Sequence, residues 1–494
     1  MSLGSTGLGL ALLRAFNAAL GLCLSIALAA IFGVSREVDA LFVALSVGVF
    51  LARDLSRVVR TAAVPCLVEH DEGRGPSDFP AMFHSSAAIL AAGSAALIWI
   101  AAPWIVTLTS PGFDRAAAQD STRLLRLLAP SVLLFVLFGS GQAAFHARRH
   151  FLVPEFAETL WRVIALASLF TLGRRSGIEA YTAGLLLAAF VQWFALLVLG
   201  ARFGVHVLPT RWTLPRPRVL RPFCLGAAVV LCSVGQMQVE GILDRAVISY
   251  MAPGSIALFA YAERLAHMAP LLLSTSLLMP WLPEMARIRA RVGDPRRLAR
   301  QGSLFLAGLG ALLALVIVWA ARDTVVFLLL RGKFDAASGD VIILALRAFA
   351  LGIPAIFCVQ CLAGLYIVER NVNAIVRMGL VAVLAHAAGN LALRRWGVPG
   401  IALSGSLTIW LVAFYLWRRL RSNEPAWFDW PRFAAALAAA AVLLYAIPWA
   451  ALLPWTAVRI VVGALAAWAA YTAILWPALL RMQACERDAL PPED

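Results

Sequence analysis

Apolar positions along the chain come in blocks of roughly twenty residues, separated by short polar connections that hold most of the arginines. At 1.5 Å per residue, each block spans the ~30 Å hydrocarbon layer of a bilayer as a helix. Fourteen spanning helices are predicted, at 10–33, 38–62, 80–109, 121–146, 153–172, 179–201, 221–249, 254–282, 301–321, 339–366, 373–393, 398–417, 432–449 and 456–480. The longest connections, near 202–220, 283–300 and 322–338, are too short to fold separately. The stretch at 73–76 and Pro209, Pro215 and Pro217 mark irregular loops.

Composition agrees with this pattern. Of 494 residues, 62% are hydrophobic and 14% charged, with a mean hydropathy of +0.83. That leaves too little polar surface to coat a water-soluble globule, and it excludes a soluble enzyme, a disulfide scaffold and a disordered chain. The expected fold class is an all-α polytopic membrane protein. The seven cysteines are scattered; Cys358 and Cys361 fall inside an apolar segment and read as small helix residues rather than a metal or redox pair. The apolar run from Leu10 to Phe32 has no cleavage-site pattern, so no signal peptide is expected. There is no Walker A sequence and no catalytic constellation, so no enzyme activity and no cofactor are expected.

The net charge of +15 comes almost wholly from arginine, since Lys333 is the only lysine. The arginines cluster in the connections, which makes them a topology signal rather than a nucleic-acid footprint. Even-numbered connections, including Arg148, Arg149, Arg216, Arg287, Arg291, Arg370, Arg418, Arg419 and Arg421, hold about 19, against about 10 on the odd-numbered side. The richer side is cytoplasmic, so both termini are expected inside the cell.

The chain also resembles itself at an offset of about 220 residues. Gly112-Phe113-Asp114 matches Lys333-Phe334-Asp335, and Arg126 matches Arg347. Ala40-Leu41-Phe42 matches Ala257-Leu258-Phe259, Pro65 matches Pro283, and Gly177-Ile178 matches Gly400-Ile401. Six helices per repeat give two like-oriented bundles, 1–205 and 206–422, with two additional helices and a short tail over 423–494. Two such bundles with a cleft between them form a transporter plan, with substrate expected near mid-membrane.

Ionisable groups inside apolar segments cost roughly 2.5–3.5 kcal/mol each, so each needs a reason. Arg264 lies about 15 Å into its helix. Its planar fork suits a phosphate in a water-filled cavity, and the alternative is an ion pair with Glu240, Asp244 or Glu263. Gln236, Glu240 and Asp244 share one helical face, as a cation or proton site or as structural pairs. Arg53 is placed to line the inner mouth of a cavity, while Arg57 and Arg60 read as interfacial anchors. Arg14 has the same two readings. Arg126 and Arg347 are shallow and read as structural. His386 and Asn390, four residues apart, read as a helix-helix hydrogen bond or an ion site. Glu155 and Glu158 stand at a helix start, where carboxylates favour the dipole.

Several of these residues carry a resemblance to a known family. Phe32-Gly33-Val34-Ser35 with Asp39-Ala40-Leu41-Phe42-Val43-Ala44 resembles the start of helix two in the MurJ/MviN lipid II flippases. So do Pro111-Gly112-Phe113-Asp114, the run Leu124 to Pro130, and Phe151-x-x-Pro154. Asp244-Arg245, Tyr261 to Leu265, Leu282-Pro283, Arg331 to Asp335 and Asn390 extend the likeness over essentially the whole chain. The resemblance implies an inner-membrane member of the multidrug/oligosaccharidyl-lipid/polysaccharide exporter superfamily. Such a protein moves an undecaprenyl-pyrophosphate-linked saccharide from the cytoplasmic to the periplasmic leaflet by alternating access.

By the same resemblance, Arg264 falls on the cavity arginine of helix eight. Asp244 and Asn390 fall near a sodium site of some members. Arg264, Arg53, Arg14, Asp39 and Glu240 are the substrate-binding candidates. The implied partners are the lipid-linked saccharide, membrane lipids and cell-envelope glycan assembly proteins, with coupling to Na+, H+ or the membrane potential. The chain departs from the family pattern in its first helix, with Ala18 and Leu24-Ser25 where arginine and an Arg-Asp pair are usual, and in Gly48 to Ala52. An exopolysaccharide or O-antigen repeat unit on the same lipid is therefore an alternative cargo, and a non-transporting scaffold an alternative role. A drug/cation antiporter and a membrane enzyme are the further readings.

Overall fold

A computed structural model describes the chain except for residues 1–2, 210, 214–215, 279–280, 291–294, 370, 421–428, 454 and 489–494. Arg291, Arg370 and Arg421 of the topology signal, and Pro215, lie outside the described residues. Every regular element among the described residues is helical. Two compact units form, one of residues 1–261 with 331–334, the other of 262–330 with 335–494.

The first unit holds α1 (Leu3–Phe32), α2 (Arg36–Leu45), α3 (Ala52–Asp71), α4 (Phe79–Thr109), α5 (Arg115–Ala147), α6 (Leu152–Ser168), α7 (Arg174–Phe203) and α8 (Pro217–Ile248). Helices α2 and α3 run into one another through a π-helical turn at Ser46–Leu51. The next helix, α9 (Ser255–Leu278), begins in this unit and continues into the second. The second unit then holds α10 (Trp281–Ala290), α11 (Arg296–Leu328), α12 (Ala336–Ala350), α13 (Ile353–Val368), α14 (Val372–Leu393), α15 (Gly397–Arg419), α16 (Trp430–Ala446), α17 (Trp449–Leu452) and α18 (Thr456–Asp488).

Eight helical stretches among the described residues are long and apolar enough to cross a membrane. Two of them, Leu152–Phe203 and Asn373–Arg419, contain 52 and 47 residues. At 1.5 Å per residue either is about twice as long as a bilayer is thick. Each breaks at a glycine with positive φ, Gly177 (φ 83°) and Gly397 (φ 65°), a conformation that side chains with a Cβ resist. On either side of the break the helices pack on one another, α6 on α7 and α14 on α15, as hairpins. In Arg174-Arg175-Ser176-Gly177 and Arg394-Arg395-Trp396-Gly397, the turn glycine equivalent to Gly177 is Gly397, three residues before the Gly400 that the sequence match suggests.

The family-like motifs turn out to be helix starts and docking loops. Ser35, Asp114 and Asp335 are N-caps, accepting from the N–H groups of Val38, Ala117 and Ser338 at 3.3, 2.9 and 3.2 Å. Each satisfies one of the four donors that a helix start leaves open. Asp335 is exposed, and its carboxyl is held below the ordinary carboxylate range by Ser338, through its hydroxyl and its backbone N–H. Gly112 donates to the Ser249 hydroxyl at 2.9 Å, which seats the α4–α5 connection on the end of α8. The 331–334 segment reaches the end of α1, where Lys333 donates to the Ala30 carbonyl at 3.0 Å. Gly332 sits there at φ 66°, with the Ala30 carbonyl where its Cβ would be.

In the first unit α5 is the central helix and packs against α2, α3, α4 and α7. Gly139 lies directly on Ser56, so the backbones of α5 and α3 approach closely, as spanning helices do through small residues. Helix α8, which the sequence repeat counts with the second half, packs here against α3 and α4. In the second unit α11 pairs with α13 and carries α16 and α18 on another face. The core there joins Leu306, Phe357 and Tyr471, and Asp323 bridges Arg459 of α18 at 2.6 Å.

Candidate functional site

Five arginines and three carboxylates converge in the first unit, on α1, α3 and α6. Glu158 of α6 is the hub. It meets Arg162, one helical turn on, at 3.0 Å and Arg53 of α3 at 3.7 Å. The Arg53 guanidinium lies over the indole of Trp161 at 4.1 Å and faces Phe135 at 5.3 Å. The aromatic faces hold the guanidinium plane, and an arginine so held presents its N–H fork in a defined direction. Glu155 is buried and bridges Arg14 of α1 at 3.1 Å. Arg57 pairs with Asp54 at 3.3 Å, and Gln238 of α8 donates to the other Asp54 oxygen. Arg60 turns inward and donates to Gln142 of α5 at 3.2 Å.

Arg14, Arg53, Arg57, Arg60 and Arg162 against Asp54, Glu155 and Glu158 leave two positive charges on this face. Arg14 and Arg57 are more than half exposed, whereas Arg53, Arg162 and all three carboxylates are largely covered. Buried carboxylates fix the inner guanidinium groups, and the outer ones remain open to an anion. Paired arginine forks suit a phosphate or pyrophosphate, whose oxygens accept bidentate hydrogen bonds.

The structure places Arg14 and Arg53 on one face, each against a carboxylate of α6, and adds members that sequence reasoning missed. Arg162, Trp161, Gln142 and Gln238 are not legible as site residues. The one available signal is the i, i+4 spacing of Glu158 and Arg162. Glu155 and Glu158 do more than complement a helix dipole, since both hold arginines of other helices. Arg60 also donates a hydrogen bond within the unit, to Gln142.

Asp39 lies elsewhere. It is 14 residues before Arg53 on the same helical path, about 21 Å at 1.5 Å per residue. It is buried, and its two oxygens accept from the backbone N–H groups of Gly254 at 2.6 Å and Ala257 at 2.8 Å. Asp39 thereby caps the start of α9. Around it, Tyr261 packs edge-on against Phe42 and Phe334 and donates to the Gly33 carbonyl at 3.4 Å. The family-like residues of four separate segments thus meet in one place.

Glu240 accepts from Gln236 at 3.0 Å on α8, and Asp244 is buried one turn further on. Arg264 is exposed on the part of α9 that belongs to the second unit. Asn390 and His386 are buried on α14 in the same unit, where the Ser404 hydroxyl of α15 donates to the His386 carbonyl at 3.4 Å. Asp244 belongs to the first unit and Asn390 to the second. No cluster of metal-ligating side chains occurs among the described residues.

The chain is an all-helical protein with several helices able to cross a membrane and an arginine-lined polar face. Its fold is similar to that of solved transporters described as MOP superfamily members. It aligns with an inward-facing multidrug resistance MATE family transporter at a TM-score of 0.66 and 15% identity, covering 86% of this chain and 96% of that one. A lipid II flippase MurJ in an inward closed conformation aligns at a TM-score of 0.79 and 18% identity, covering 95% and 99%. The family model described as "Lipid II flippase MurJ" matches residues 28–470, and the chain belongs to that family. Among its relatives, the lipid II flippase MurJ of Burkholderia cenocepacia is 24% identical over 461 residues, 89% of this chain and 88% of that one. A probable lipid II flippase MurJ of Haemophilus influenzae is 23% identical over 365 residues, 70% and 71% of the two chains.

Proposed function

We propose that this chain is an inner-membrane flippase that moves lipid II, a polyprenyl-pyrophosphate-linked saccharide, from the cytoplasmic to the periplasmic leaflet by alternating access. The arginine face of the first unit carries this reading. Its five guanidinium groups outnumber its carboxylates by two, and Arg53 is held flat between aromatic rings, an arrangement suited to the pyrophosphate. Arg264 adds a further cation for the head group, and Glu240 a polar contact for it. Asp39 acts by holding the start of α9. Asp244 in the first unit and Asn390 in the second are separate candidates for contact with a coupling cation, Na+ or H+. The inside-negative potential assists export of a net anion by about 2.3 kcal/mol per charge per 100 mV. Both termini are cytoplasmic in this reading, because the arginine-rich connections lie on that side.

The experiment is complementation of a bacterium depleted of its own lipid II flippase, with Arg53→Ala and Arg264→Ala at matched membrane abundance. Rescue by the wild type and failure of Arg53→Ala supports the reading. Rescue by Arg53→Ala at the wild-type rate overturns the role of the arginine face. The altered first helix, with Ala18 and Leu24-Ser25, favours a second reading in which the cargo is another glycan on the same lipid. A well-inserted wild type that fails to rescue lipid II export but restores surface polysaccharide export supports that cargo.

A further inference from the structure

At one end of the second unit, α13 and α15 finish and α11 and α14 begin, and a pocket of about 310 Å³ opens among them. Arg296, Arg418, Arg419, Glu369, Tyr366 and Asn371 supply its polar lining. Arg296 pairs with Glu369 at 3.1 Å, and among the described lining residues three guanidinium groups stand against one carboxylate, an excess of two positive charges. The Arg419 guanidinium lies 4.9 Å over the Tyr415 ring and Arg418 5.5 Å over Phe414. An arginine backed by a ring keeps its N–H edge for an acceptor. Asn371 caps α14 through its side-chain oxygen, which accepts from Ala374 at 3.1 Å, so its amide NH2 is a further donor. The start of the 22-residue α14 also favours an anion. Tyr366 donates to the Leu416 carbonyl at 3.5 Å and ties the ends of α13 and α15 together.

The surface beside the pocket points to its occupant. On α15, four to eight residues before Arg418, Phe414, Leu411 and Trp410 are exposed. Exposed aromatic residues followed by arginines mark the interface where lipid head groups begin. A soluble anion has no use for the aromatic and aliphatic face beside the pocket, whereas acyl chains lie along such a face.

We propose that this pocket binds the phosphate of an anionic membrane lipid, with Arg418 and Arg419 gripping the phosphate oxygens and the acyl chains running past Phe414 and Trp410. The site shares no residue with the arginine face of the first unit. It does not depend on the identity of the transported cargo.

The test uses the purified full-length chain in a neutral detergent. It is titrated with short-chain phosphatidylglycerol, short-chain phosphatidylcholine and inorganic phosphate, with bound ligand counted by native mass spectrometry and melting temperature followed in parallel. Phosphatidylglycerol is expected to bind and stabilise well ahead of phosphatidylcholine. Arg418→Gln/Arg419→Gln is expected to weaken that binding by about tenfold for each guanidinium lost. If the glutamine variant does not fold, Arg418→Lys/Arg419→Lys keeps the charge but not the fork and is expected to bind several-fold more weakly than wild type. Inorganic phosphate binding as tightly as phosphatidylglycerol would overturn the lipid assignment in favour of a soluble phosphate ligand. Wild type that binds phosphatidylglycerol no better than phosphatidylcholine, or folded variants that bind it like wild type, would overturn the site. Because the readout is binding, a failure to complement lipid II export leaves this result unaffected.

Discussion

Asp39 and Ala257 are 218 residues apart in sequence, and the carboxylate of the first accepts a hydrogen bond from the backbone N–H of the second at 2.8 Å. With Gly254 on its other oxygen, Asp39 closes the exposed donors at the start of α9 inside a buried setting. Removing it strands two buried N–H groups. Asp39→Ala is expected to lower unfolding stability by about 2–5 kcal/mol, since each stranded donor costs about 1–3 kcal/mol. Asp39→Asn retains one acceptor and should lose less. Thermal melts of the two variants in detergent check this, and equal melting of Asp39→Ala and wild type would sink the capping role.

Arg53 should be sensitive to shape as well as charge. Arg53→Lys retains the charge but gives up the planar stacking on Trp161 and Phe135 and the forked geometry. Affinity for a polyprenyl-pyrophosphate is expected to fall several-fold with lysine and about tenfold or more with alanine. Direct binding measurements on matched preparations separate the two, and a lysine variant with wild-type affinity would show that the charge alone matters.

Glu158 holds two arginines, so its neutralisation works in opposite directions on binding and stability. Glu158→Gln leaves Arg53 and Arg162 without their carboxylate and raises the positive excess of the face from two to three. Anion affinity is expected to rise at low ionic strength while the melting temperature falls. A rise that persists undiminished at high salt would contradict an electrostatic origin, because screening reaches exposed charges first.

Two glycines with positive φ should differ in their tolerance of a side chain. Gly177 has nothing within 4 Å of where its Cβ would be, whereas Gly332 meets the Ala30 carbonyl. Gly177→Ala is expected to cost about 1–2 kcal/mol of left-handed strain alone. Gly332→Ala carries the same strain plus displacement of the 331–334 segment, and it should be the more destabilising in a side-by-side melt. The reverse order would mean that the docking of this segment on α1 contributes little.

Asp335 provides a pH-dependent check outside the apolar segments. Its folded carboxyl is held below its ordinary value of 3.8 by the Ser338 hydroxyl and N–H. A depressed carboxylate contributes its stabilisation above the unfolded value and loses it as pH falls through the lower folded value. The α12 cap is therefore expected to be intact throughout the neutral range and to weaken only below 3.8. Ser338→Ala should move the Asp335 titration, followed by NMR of a labelled carboxyl, back toward 3.8. No movement would exclude the Ser338 hydroxyl as the cause.

The membrane class and the helical fold were determined by sequence, because each rests on local chemistry. A run of apolar residues reports its own cost of exposure to water. The arginine-carboxylate face could not be read this way. Glu158, Trp161 and Arg162 lie on α6, Arg53 on α3 and Arg14 on α1, and nothing in the spacing of one helix says which face of another it will meet. Asp39 shows the same limit, since its role depends on a helix start more than 200 residues away. The register of the α14–α15 turn at Gly397 was settled only by the backbone, where a positive φ selects one of two nearby glycines. Helix packing made these choices, through close contact of small residues and the need to pair every charge that it buries.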